Sequence, residues 1–184
     1  VDTLAKKSIC LRRTFQVGDA KEGGANRKPG KKIVEATAYV CGLGFYEFSL
    51  NGKKMGNSEF APLWSDYDKT VYYNTYDVTE QLRRGENVVG ILLGNGFYNV
   101  QGGRYRKLQI SFGPPTLLFE LVINYEDGTC TTVHSDNNWK YDFSPVTFNC
   151  IYGGEDYDAR REQKGWNQIG FDDSHWRPVV IQEA

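Results

Sequence analysis

The chain is short of several things, and each shortage closes off a class of protein. It holds no apolar run of the roughly 18 residues needed for a helical membrane span. Histidine is scarce, with only His134 and His175, and no Gly-x-Ser-x-Gly elbow accompanies them, so a Ser/His/Asp triad has no support. Cys10, Cys41, Cys130 and Cys150 contain no Cys-x-x-Cys pair, which argues against zinc. They read as free, buried thiols acting as small hydrophobes, with the possible disulfide pairings left open. Excess charge is missing too: 22 Lys+Arg against 23 Asp+Glu leave a net charge of −1, which excludes the basic footprint of a nucleic-acid binder. Gly42-x-Gly44 and Gly94-x-Gly96 lack the third glycine of a dinucleotide fingerprint and read as turn and bulge glycines.

What the chain has in quantity is aromatic residues, 12 Tyr, 10 Phe and 4 Trp beside a single Met. That ratio favours β-structure. Apolar residues recur with period two, the signature of half-buried strands. Ile9, Leu11, Phe15 and Val17 alternate, with Arg13 out of pattern at an inward position. Strands are expected over 33–41 and 45–50, followed by an Asn51-Gly52 turn whose central positions need positive φ. Val71–Tyr76 alternates as well. Thr79 to Gly85 reads as one helical turn with an N-cap threonine, and 87–93 as a strand buried on both faces. The clearest hairpin joins 117–125 to 129–134 through Glu126-Asp127-Gly128, and short strands are expected around Trp139 and over 146–150.

Many short strands with almost no helix imply an all-β fold, a two-sheet jelly-roll sandwich with short helical turns at most. With 184 residues the chain can bury a sizeable core without metal or disulfides, and 1–184 is read as a single domain. Residues 18–30 are polar and glycine-rich, a flexible loop. The start at Val1 without an apolar leader, and the stop just after an apolar triplet, read as a domain excised from a larger protein.

Two kinds of site suit the residue types present. Asp66 with Asp68, and Glu155 with Asp156 and Asp158, are carboxylates of the type a glycosidase needs in pairs, but they read as surface and turn acids. Such oxygen-rich loops suit Ca²⁺, although no EF-hand pattern is present. Sugar recognition couples an aromatic platform to amide, carboxylate or guanidinium groups that read hydroxyls. Asn57, Ser58 and Glu59 with Trp64 form one such group; Asn95, Phe97 and Tyr98 with Arg104, Tyr105 and Arg106 form another. Both are expected at one end of the sandwich. The alternative is that Trp64 and Phe97 cap the core and the amides serve loop backbone.

Taken in order, 38–48 (Ala-Tyr-Val-Cys-Gly-Leu-Gly-Phe-Tyr-Glu-Phe), Leu50-Asn51-Gly52, Trp64-Ser65-Asp66-Tyr67, Tyr76-Asp77-Val78-Thr79, Leu93-Gly94-Asn95-Gly96-Phe97-Tyr98, Tyr152-Gly153-Gly154-Glu155-Asp156-Tyr157-Asp158-Ala159-Arg160 and the final Gly165-Trp166 with Gly170-Phe171-Asp172-Asp173-Ser174-His175-Trp176 form a specific set. The set resembles the N-terminal β-sandwich domain of bacterial α-L-rhamnosidases of glycoside hydrolase family 78, from about Ser8 to Val179. In that family catalysis belongs to a separate (α/α) barrel, so the resemblance implies a non-catalytic accessory domain whose partners are the catalytic barrel and a rhamnose-containing glycan. It also implies a periplasmic or cell-surface location. Related modules of carbohydrate-binding family 67 hold L-rhamnose through calcium. No cofactor is required here, and Asn57 replaces a carboxylate at the loop position where such modules often carry Asp, which weakens calcium binding. Asn57, Ser58, Glu59, Trp64, Asn95, Tyr98 and Arg104, taken from the two ring- and amide-rich loops, are the candidate ligand contacts, with Asp158 and Arg160 read as a structural ion pair or a seam to neighbouring domains. The competing expectation is a spacer that binds no ligand.

Overall fold

The computed structural model of the chain describes residues 6–18, 31–104 and 106–182. All but Gly18 of the expected 18–30 loop, and Tyr105, lie outside the described residues. Among the described residues there are twelve strands: β1 (Ile9–Val17), β2 (Ile33–Leu43), β3 (Phe45–Leu50), β4 (Lys53–Lys54), β5 (Asn74–Asp77), β6 (Gly85–Gly94), β7 (Thr116–Tyr125), β8 (Cys130–His134), β9 (Lys140–Phe143), β10 (Val146–Cys150), β11 (Gly154–Tyr157) and β12 (Arg177–Pro178). A six-stranded sheet in the order β12-β9-β1-β6-β3-β4 faces a four-stranded sheet in the order β5-β2-β7-β8, and β10-β11 form a separate hairpin. The pairings are antiparallel. The fold is the expected β-sandwich.

Alternation explains why these segments pair as they do. Phe15 and Val17 of β1, Phe48 and Leu50 of β3, and Val89, Ile91 and Leu93 of β6 all point inward. They meet Ala36, Ala38 and Val40 of β2 and Phe119, Leu121 and Ile123 of β7 from the other sheet. Across the seam the Phe48 and Phe119 rings stand edge to face at 5.8 Å, and Trp139 packs on Phe119 at 5.3 Å. Each such pair adds to the area term that drives the two layers together. The turn after β3 has φ of 53° at Asn51 and 84° at Gly52, as its Asn-Gly sequence requires.

β6 is central in its sheet and buried on both faces, as its unbroken apolar run implies. Its outer face is covered by the chain's own C-terminal segment. Gly90 permits this: a Cβ there would lie 2.6 Å from Asn167 Cβ and 3.0 Å from the Trp166 ring. Arg12, on the outer face of the neighbouring β1 and only 3% exposed, ties the same segment down. Its Nη1 pairs with Asp173, and its Nη2 donates to the Gln168 carbonyl at 3.1 Å.

Four expectations need correction. Arg13 is only half-buried and faces Asp136 at 3.4 Å, whereas its neighbour Arg12 is the buried arginine. Thr79 does not cap a helix. The turn Thr79–Gln81 is preceded by Val78, without a side-chain cap. Thr79 Oγ1 instead accepts from the Ala36 N–H at 2.9 Å and donates to Asp77, stitching the turn to β2. The alternating 71–76 segment contributes a strand only from Asn74. All four cysteines are free, but Cys130 is exposed while the other three are buried.

Candidate functional site

The loop after β4 and the loop after β6 come together because both are anchored on β3. A backbone bond from the Tyr46 N–H to the Ala61 carbonyl, 2.8 Å, pulls the first loop alongside β3. The second is held by a close backbone approach. Gly44 has φ of +131°, and a Cβ on it would sit 2.1 Å from the Gly94 carbonyl oxygen; a Cβ on Gly96 would lie 2.9 Å from Phe45 N. Glycine at both positions is therefore required for the two segments to cross.

The crossing creates a row of rings. Phe97 is the hub: Trp64 lies 5.6 Å from it, Phe45 6.2 Å and Tyr152 5.9 Å, and Phe60 packs on Phe45 at 5.5 Å. Trp64 is 62% exposed and Tyr152 54%, so the two outer rings of the row Trp64–Phe97–Tyr152 face water while Phe97 supports them. Beside this row a second cluster joins Tyr67, Tyr98 and Phe112, with Tyr67 and Tyr98 edge to face at 5.1 Å.

The polar residues singled out in the sequence divide into four positions. Asn57, Ser58 and Glu59 are exposed in the first loop, and Glu59 Oε2 receives Lys54 Nζ at 3.0 Å. Asn95 is buried at 1% exposure and works inside the loop. Its N–H and Nδ2 both donate to Asn149 Oδ1, at 2.8 and 3.0 Å, and its own Oδ1 accepts from Asn99 Nδ2 at 2.8 Å. Tyr98 is half-buried, and its hydroxyl donates to the Phe112 carbonyl at 3.2 Å. Arg104 lies beyond Tyr152. Its guanidinium stacks 4.0 Å over the Phe148 ring and pairs with Asp156 of the β10-β11 hairpin.

Two of the remaining acids are engaged locally. Asp66 pairs with Lys69 at 2.7 Å and Asp158 with Arg160 at 2.8 Å, in the turn Ala159–Arg161 that Asp158 caps. Hydrogen bonding from Arg160 holds the Asp158 carboxyl at about 2. For calcium the donor set is poor. Glu47 and Glu59 both bind the Lys54 ammonium, at 2.9 and 3.0 Å, so a built-in cation already lies between them. Among the described residues no three His, Cys, Asp or Glu side chains converge. No helix among those residues is long and apolar enough to cross a membrane.

Tyr152 and Phe60 were missed in the sequence. Tyr152 directly precedes Gly153-Gly154, where a ring before a glycine turn is presented rather than buried; Phe60 carries no comparable signal.

Comparison with known proteins agrees with this architecture. Residues 31–184 match the family model described as the α-L-rhamnosidase N-terminal domain. An α-L-rhamnosidase of Formosa agariphila is 47% identical over 150 residues, covering 79% of this chain and 16% of the relative. The structure of α-L-rhamnosidase from Dictyoglumus thermophilum superposes with a TM-score of 0.82 at 35% identity, covering 96% of this chain and 18% of that one. That of the Streptomyces avermitilis α-L-rhamnosidase, complexed with L-rhamnose, gives 0.80 at 36% identity, covering 96% and 16%. The chain thus spans about a sixth of the length of these relatives. It belongs to the α-L-rhamnosidase N-terminal domain family.

Proposed function

We propose that this chain is a non-catalytic accessory domain of an α-L-rhamnosidase, a glycosidase that removes terminal α-L-rhamnosyl residues. In this reading it is one folded unit of a longer, exported polypeptide, where it positions the catalytic barrel and holds rhamnose-containing glycan. The observation that carries the binding claim is the exposed row Trp64–Phe97–Tyr152, with ring spacings of 5.6 and 5.9 Å. A 6-deoxy sugar offers such a row an apolar methyl and ring face, while its hydroxyls need paired polar readers. Asn57, Ser58 and Glu59 stand in the same loop as Trp64, and Arg104 closes the Tyr152 side. Tyr98 and Asn95 act from behind, as supports of the loop that carries Phe97. The absence of catalysis is supported by the engagement of Asp66, Asp156 and Asp158 with Lys69, Arg104 and Arg160. Because Lys54 already neutralises Glu47 and Glu59, the binding is proposed to need no calcium.

Calorimetric titration of the chain with L-rhamnose tests this. Affinity of about 1 mM, lost in Trp64→Ala and unchanged by EDTA, is the expected outcome. No heat at saturating sugar removes the binding claim, and loss of heat on adding EDTA removes the calcium-free one.

A second reading, a spacer whose loops are covered by the rest of the enzyme, is favoured by one observation. Phe60 and Leu63 are 68% and 74% exposed and carry no hydroxyl-reading group. It predicts that Trp64→Ala in the full-length protein lowers stability and leaves sugar affinity untouched.

A further inference from the structure

A cavity of about 290 Å³ lies between the 157–167 segment and the six-stranded sheet, and none of the residues of the aromatic row lines it. From this cavity we infer a second carbohydrate site, sized for one uncharged pyranose ring, on the flank of the sandwich. Its volume falls at the small end of ligand pockets, enough for a monosaccharide unit and too little for a chain of them.

The walls are aromatic. Trp166 and Trp176 lie nearly parallel, 25° apart with centroids at 6.1 Å, and Phe143 and Tyr157 line the cavity with them, beside the aliphatic Leu92, Pro145 and Val146. Trp176 is buried, and its Nε1 donates to Gln163 Oε1 at 2.9 Å, while Gln163 Nε2 donates to Asp142 at 2.7 Å. Trp166 is half-buried and rests against Gly90, where no side chain intervenes. The platform is thereby fixed in place before any ligand arrives, which lowers the ordering cost of binding. At the floor is Cys10, whose thiol burial pushes up to about 12, so the floor carries no charge.

The rim supplies the polar partners a sugar needs. Asn167 uses Nδ2 on Ser49 Oγ at 3.1 Å, and its Oδ1 has no partner among the described residues. Lys164 makes no ion pair among those residues, whereas Arg161 faces Asp158 at 3.4 Å and Glu162 accepts from the Tyr157 hydroxyl. Donors and acceptors therefore stand together at the rim, as a polyhydroxylated ligand requires. Because this cavity and the aromatic row lie on different parts of the surface, one chain would hold two sugar units, and linkage would raise avidity for a branched or polymeric glycan.

Indole N–H resonances of the ¹⁵N-labelled chain test the inference, since Trp64, Trp139, Trp166 and Trp176 report separately. L-rhamnose, L-fucose, D-galactose and D-glucose are the probes. At least one of them is expected to move the Trp166 signal saturably, with Kd of about 1–10 mM. Lys164→Ala and Glu162→Gln, both at the exposed rim, are expected to weaken that binding about fivefold or more without altering the thermal midpoint. Trp64→Ala is expected to leave the Trp166 response unchanged. No saturable movement of Trp166 with any of the four sugars overturns the second site. So does a Trp166 response that disappears in Trp64→Ala, because it would report the aromatic row instead.

Discussion

Asn149 holds Asn95 by one side-chain oxygen that accepts both the Asn95 backbone N–H, at 2.8 Å, and its Nδ2, at 3.0 Å. Through this pair a strand of the β10-β11 hairpin fixes the loop that carries Phe97, the hub of the exposed aromatic row. Asn149 in turn donates Nδ2 to the Lys6 carbonyl at 3.0 Å and to Ser8 Oγ at 2.8 Å. All four groups are buried, so none can turn to water when a partner is lost.

Asn149→Ala is therefore expected to cost about 1–3 kcal/mol, the penalty for stranding buried polar groups. A urea titration followed by far-UV dichroism measures it. Sugar affinity should fall in the same variant, because the Phe97 loop loses its anchor while no residue of the exposed row is altered.

Arg12 is the corresponding anchor for the flank. Its pairing with Asp173, and its bonds to the Phe171 and Gln168 carbonyls at 3.3 and 3.1 Å, hold the segment that contains Trp166 and Trp176. Arg12→Ala should destabilise the fold by about 3 kcal/mol, near the low end for breaking a buried pair, because Asp173 keeps Lys140 at 2.7 Å. The near-UV dichroism of the stacked tryptophans should diminish at the same time. An unchanged near-UV spectrum would show that the segment does not depend on Arg12.

Several carboxylates are held below their ordinary range, Asp173, Asp158 and Asp127 among them. For Asp173 burial alone raises the carboxyl, but Lys140 and Arg12 outweigh it and hold it below 3.8. Arg160 holds Asp158, and Thr129 with Lys31 holds Asp127, at about 2. Each folded pKa lies below the unfolded one, so this stabilisation is fully present above about pH 4 and is lost as the pH falls toward about 2. The urea midpoint should stay level from about pH 7 to 5 and then drop. Asp173→Asn should be less stable at neutral pH and show a shallower acid limb.

Thiol chemistry gives an inexpensive check on burial. Cys130 alone among the four cysteines is exposed, while burial raises the thiols of Cys10 and Cys41 and makes them poor nucleophiles. One thiol per chain should react rapidly with a disulfide reagent in native buffer and four in urea. Cys130→Ser should abolish the fast phase.

Most of the fold could be read from the sequence, because alternation is a local signal. Phe48, Leu50, Val89, Ile91 and Leu93 announce inward faces that the two sheets then bury. The Asn51-Gly52 turn and the Glu126-Asp127-Gly128 turn were equally legible, since their chemistry lies within a few residues. The β11 strand was not, because all four of its residues are exposed and carry no inward face. Arg12 and Arg13 look alike in sequence. What distinguishes them is a segment some 160 residues away that covers only one side of β1.

The candidate site was legible in its residue types more than in their roles. Trp64 and Asn95 both belonged to loops rich in rings and amides, yet one faces water and the other is sealed against Asn149. That choice depends on the crossing of Gly44 and Gly96, a contact between distant backbones that no local pattern encodes. Tyr152 enters the row through the same long-range packing.

The most direct test of the central claim is a crystal structure of this chain grown with L-rhamnose well above its calorimetric Kd. The account predicts one rhamnose ring stacked on the Trp64–Phe97–Tyr152 row, its hydroxyls within hydrogen-bonding reach of the Asn57–Glu59 loop or of Arg104. A structure in which that row carries no sugar at saturating concentration would contradict it.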